Sequence, residues 1–174
     1  MKKAATWMIP AILWLTSAFT PAPASKTWKA VLRLEGMGKS YSFTSEAIYG
    51  GYQAENQRIF LFGKNHMFLN YSEPEAMKVF HDLCTTNAMQ QFQFEANGIA
   101  NLKAPAKARK VSGNISFRKK LPVSAFLQSA LLPNGEKTPA IETSGDLKSL
   151  GYTFTEEAGR MFSGKYTITF ISSN

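Results

Sequence analysis

Apolar residues fall on every second position in one segment after another, and this period of two constrains the fold more than any other feature. Residues 28–34 set Trp28, Ala30, Leu32 and Leu34 on one side and Lys29 and Arg33 on the other, the pattern of a half-buried strand. Residues 40–48 alternate through Tyr41 and Phe43, residues 90–95 through Phe92 and Phe94, and residues 165–171 through Tyr166, Ile168 and Phe170. Val111, Ile115 and Phe117 mark another strand over 111–117, and 151–155 reads as a further one. Gly36-Met37-Gly38 turns the chain between the first two runs, and Gly50-Gly51 is expected to end the second. Residues 58–62 and 66–71, rich in aromatics and separated by Gly63-Lys64-Asn65, have the composition of a short hairpin.

Two segments follow a helical period instead. Ser72-Glu73-Pro74-Glu75 has the spacing of a capping box, and Ala76, Met77, Phe80, Leu83 and Cys84 then draw one apolar face as far as Thr86. After Pro122, the residues Val123, Phe126, Leu127, Ala130 and Leu131 recur at three- and four-residue intervals until Pro133-Asn134-Gly135, which predicts a second amphipathic helix. Residues 136–149 carry few apolar side chains and many turn formers, as a long surface loop would. Runs of strands broken by helices predict an α+β fold: one domain, a largely antiparallel sheet of about seven to eight strands, and two amphipathic helices.

The first 24 residues stand apart from this pattern. Lys2 and Lys3 precede an apolar run from Ala4 to Phe19, and Ala22-Pro23-Ala24 supplies the small residues of a cleavage site. Residues 1–24 are therefore expected to be a cleavable signal peptide, leaving 25–174 as a single exported domain in the periplasm or the medium of a bacterium. The apolar run is shorter than the ~20 residues that cross a bilayer and is interrupted by Pro10, so no transmembrane anchor is expected after cleavage. Cys84 is the only cysteine, so no intramolecular disulfide can form even in an oxidising compartment. Cohesion falls instead to an apolar core in which 13 Phe take part.

The formal net charge is +8, and its distribution narrows the partners. No acidic residue lies between Glu95 and Glu136, whereas Lys103, Lys107, Arg109, Lys110, Arg118, Lys119 and Lys120 all fall there. Such a segment attracts an acidic protein or an anionic envelope surface. Export disfavours nucleic acid, and Phe117 beside the basic cluster sits at the spacing of a core strand rather than of a base-stacking platform.

Sites of chemistry are sparse. There is no HExxH, no paired CxxC, no GxSxG and no GxGxxG, and Gly36-Met37-Gly38-Lys39-Ser40 lacks the first glycine of a phosphate loop. No cofactor and no metal are expected. The helical pattern turns Cys84 inward, as a core residue rather than a nucleophile. Glu156 and Glu157 would point to opposite faces of a strand and so could not flank one glycosidic bond.

The leading expectation is a non-catalytic exported binding or accessory protein that docks through its basic segment. One alternative is a small exported hydrolase gathered around His66, His81 and Asp82. Another is an assembly subunit of a secretion or surface apparatus, joined by strand addition at a sheet edge.

Overall fold

The structure, a computed structural model, describes residues 27–117 and 120–173. The expected signal peptide, residues 1–24, and the basic residues Arg118 and Lys119 lie outside the described residues.

Eight strands follow the period of two: β1 (Thr27–Gly36), β2 (Lys39–Gln53), β3 (Arg58–Lys64), β4 (Gln91–Asn97), β5 (Arg109–Ser116), β6 (Lys120–Leu131), β7 (Lys137–Asp146) and β8 (Lys165–Ser173). Each pairs antiparallel with the next, and β8 returns to pair with β1, so the sheet closes into a barrel in sequence order. The described helices are α1 (Pro74–Thr86) between β3 and β4, and the six-residue α2 (Glu156–Met161) between β7 and β8. Both serve the same end of the barrel. Phe80 of α1 packs on the inward-facing Phe43 at 5.0 Å, and Phe162, just beyond α2, meets Tyr41 edge-on at 5.3 Å.

This architecture corrects the predicted α+β fold with two amphipathic helices. The segment after Pro122 is a strand, because its residues satisfy both periods. Leu121, Val123, Ala125 and Leu127 alternate with Pro122, Ser124, Phe126 and Gln128, and pairing with β5 on one side and β7 on the other selects the period of two. Residues 137–146 form β7 rather than a loop. Thr138 is buried there, its Oγ1 donating to the Ser172 carbonyl at 2.6 Å. Residues 151–155 form no strand but lead into α2, where the Thr155 hydroxyl accepts from the Ala158 N–H.

The hairpin expected around Gly63-Lys64-Asn65 is absent. β3 runs through Gly63, a short 3-10 turn follows at Asn65–Met67, and Leu69 makes only an isolated bridge to Thr44. Nor do Gly50 and Gly51 end β2, which passes through both. At the start of α1 the Asn70 side chain, not Ser72, accepts from the Glu73 N–H.

Inward positions carry Trp28, Phe43, Ile59, Leu61, Phe92, Phe94, Ile141 and Phe170, all fully buried or nearly so. An eight-stranded barrel is just wide enough for such side chains to fill it. Phe94 and Phe170 stack at 4.8 Å across the lumen, and Phe92 lies 5.9 Å from Phe170. Gly63 makes room for this packing: a Cβ there would stand 2.9 Å from the Phe92 ring.

Candidate functional site

The end of the barrel opposite α1 is formed where β2, β4 and β6 finish and β3, β5 and β7 begin. Near it, three inward-facing polar atoms are buried without a protein partner: Trp28 Nε1, Ser45 Oγ and Ser172 Oγ. They are neighbours on the wall. Trp28 on β1 faces Ser172 on β8, and Ser45 on β2 faces Ala30, two residues along from Trp28. An unmet buried polar group costs roughly 1–3 kcal/mol, so three together mark a place where a bound molecule or water would be stabilised.

Residues 98–108, which join β4 to β5, cross this mouth. Tyr52 of β2 donates its hydroxyl to the carbonyls of Ile99 at 2.7 Å and Ala100 at 2.9 Å, while the Ser129 hydroxyl of β6 donates to the Pro105 carbonyl at 2.6 Å. β2 and β6 stand four strands apart in a ring of eight and so form opposite walls. Tyr52 and Ser129 occupy inward registers, opposite Ile59 and Pro139, so the loop is held from the lumen side of both walls, although Ser129 itself stays exposed near the end of β6. Ile99 is fully buried beneath it and its N–H donates to the Gln57 carbonyl at 2.9 Å.

The structure divides the basic segment. Lys103 and Lys107 lie on the crossing loop, and Arg109 and Lys110 open β5, all four exposed at the mouth. None of the four forms an ion pair among the described residues. Arg109 takes a lumen-side register, opposite Leu127. Lys120 opens β6 at the far end of β5, whose eight residues span about 27 Å along the strand at ~3.4 Å per residue. Its side chain meets Glu95 on the outer wall of β4 at 3.3 Å, a carboxylate also met by Arg58 at 3.3 Å.

The residues considered for hydrolysis are spread around α1. His81 Nε2 lies 2.9 Å from the Phe68 carbonyl, His66 lines a small cleft with Lys64, Gln90, Gln91 and Phe117, and Asp82 lines a separate groove between α1 and α2. Among the described residues no group of three or more His, Cys, Asp or Glu is placed to hold a metal ion. Cys84 is buried 3.8 Å from the Tyr152 hydroxyl, and burial pushes its thiol up to about 12, leaving no thiolate near neutral pH. No helix among the described residues is long and apolar enough to cross a membrane.

Sequence reasoning missed Trp28 as more than core, and missed Tyr52, Ile99 and Ser129 entirely, since no local pattern shows that β2 and β6 face one another. It also missed an outer groove of about 1030 Å³ between β2 and residues 67–72, where Tyr49 and Tyr71 stand exposed. The exposure of Tyr49 beside Phe62, stacked at 5.4 Å on the outer wall, follows from an aromatic falling on the outward register.

No protein-family model matches this chain, and no curated protein matches it. Several solved structures share its fold, among them two that cover most of this chain. BcnA of Burkholderia cenocepacia superposes with a TM-score of 0.58 at 13% identity, over 83% of this chain and 94% of that one. A polyisoprenoid binding domain from Saccharophagus degradans, implicated in plant cell wall breakdown, superposes with a TM-score of 0.53 at 10% identity, over 84% and 91%. At these identities the likeness concerns the barrel itself and not its chemistry.

Proposed function

We propose that this protein is a non-catalytic exported carrier: residues 1–24 direct export, and the barrel holds an elongated apolar molecule of the polyisoprenoid type. The observation that carries this reading is an apolar lumen containing Trp28 Nε1, Ser45 Oγ and Ser172 Oγ without protein partners. A chain-like lipid would lie among the aromatic side chains, and an oxygen on it would accept from Trp28, which can only donate. Its entry requires the stacked rings of Phe94 and Phe170 to turn aside. The polyisoprenoid binding domain from Saccharophagus degradans lends support, since its barrel is of the same kind and its ligand class suits this lining. The separation of His66 from Asp82 and the raised Cys84 thiol supply no acid–base pair or nucleophile to compete with binding.

The basic mouth supplies the docking face. Lys103, Lys107, Arg109 and Lys110 would meet an acidic envelope component, each contributing about 1 kcal/mol at an anionic membrane surface and fading within ~8 Å at physiological salt. Two measurements test the reading together. A polyprenol added to the purified protein should raise its thermal midpoint. Neutralising the four basic residues should weaken sedimentation with phosphatidylglycerol vesicles on the order of a thousandfold at low salt. The carrier is refuted if polyprenol leaves the midpoint unchanged, and the docking face if the neutralised variant sediments like the parent.

A further inference from the structure

We propose, resting on the carrier function above, that residues 98–108 are a lid over the lumen and that contact with an anionic lipid bilayer lifts it. The loop has the parts of a lid. It is fastened at opposite walls by the Tyr52 and Ser129 hydroxyls, and at the β2–β3 turn by the Ile99 N–H on Gln57. Between these fastenings residues 101–105 form no helix or strand. The loop leaves β4 at Gly98, where φ is +75° and a Cβ would touch nothing, so glycine serves the left-handed conformation of a hinge rather than a close approach.

The same loop carries the charges a bilayer would pull. Lys103 lies between the two fastenings and Lys107 just past the second, both exposed. An anionic surface facing the mouth attracts these side chains outward, away from the lumen, against a handful of hydrogen bonds and the buried Ile99. Lifting frees the Tyr52 and Ser129 hydroxyls on the lumen side of the rim and uncovers Trp28 and Ser172 below. Docking and opening then become one event, and the lid stays shut in solution, where an open apolar lumen would be costly.

Amide exchange at Ile99 reads the lid directly, because that N–H is both buried and bonded. In Tyr52→Phe/Ser129→Ala, which keeps the ring and the loop, Ile99 exchange should rise roughly fivefold to thirtyfold while β1 and β8 exchange as before. In the parent protein, phosphatidylglycerol vesicles should produce a similar rise, phosphatidylcholine vesicles should not, and salt should suppress the effect. Lys103→Gln/Lys107→Gln should keep the basal rate and lose the vesicle response. Unchanged Ile99 exchange in the hydroxyl-less variant, or equal responses to the two vesicles, overturns the lid. A full exchange response with no polyprenol uptake overturns the carrier and leaves the lid standing.

Discussion

Replacing Phe94 with alanine separates a barrel that is packed from one that is merely enclosed. Phe94 is fully buried, stacks on Phe170 at 4.8 Å, and has its ring 3.5 Å from where a Cβ on Gly113 would sit. Removing such a ring costs ~3–5 kcal/mol, of which the aromatic pair accounts for about 0.5–1.5. In a domain of about 150 residues each kcal/mol lowers the thermal midpoint by about 2–4 °C, so Phe94→Ala should fall by roughly 6–20 °C. Phe126→Ala is the internal comparison, because that ring faces outward at 44% exposure. It should cost less than about 1 kcal/mol. Thermal unfolding followed by circular dichroism measures both. The cavity left by Phe94 lies in the lumen, so polyprenol should stabilise this variant more than the parent; a protein held at a hundredfold excess of ligand over its own Kd gains about 2.7 kcal/mol, and the variant should reach that gain at a lower polyprenol concentration. If Phe94→Ala unfolds where Phe126→Ala does, the ring does not fill the lumen and the described packing is wrong.

Two further outcomes follow from buried titrating groups. Cys84 should resist a thiol reagent at neutral pH until the protein unfolds; labelling of the native protein as fast as of the denatured chain would contradict its burial. Burial also pushes Cys84 from 9.0 and Tyr166 from 10.0 up to about 12. The folded state thus keeps protons that the unfolded chain releases. Their contribution is complete below about pH 9 and is lost as pH rises toward about 12. Urea midpoints should therefore fall between about pH 8 and about pH 11, less steeply in Cys84→Ala, and a flat profile would refute the assignment.

The strands with strict alternation, β1, β4 and β8, were legible because one face of each is buried and the other meets solvent. β6 was not. Val123, Leu127 and Leu131 stand four apart as well as an even number apart, and only the neighbours β5 and β7 decide between the two periods. β7 escaped for a different reason: Thr138, Ala140 and Gly145 are small or polar, although two of them are fully buried. Gly145 must be small, since a Cβ there would press on the Tyr166 ring at 3.0 Å. In the candidate site, sequence marked the charges of Lys103 to Lys110 but joined them to Lys120, as nothing local reveals that β5 spans the barrel between them. The fastenings of the lid are contacts between residues 47 and 24 positions apart, such as Tyr52 with Ile99 and Ser129 with Pro105, and no periodicity encodes those.

Closure of the ring also orders events in time. The Thr27 hydroxyl donates to the Ser173 hydroxyl at 3.1 Å across 146 positions of sequence, and the nine-residue β8, which makes the seam, is the last of the described strands. Until it arrives, β1 and β7 each expose a row of unpaired backbone groups, and the contact order of the finished fold is high. A barrel of this kind does not close until β8 is present. Its last strand must find two partners at once, so folding is slow and the unfinished ring is the species most prone to aggregate.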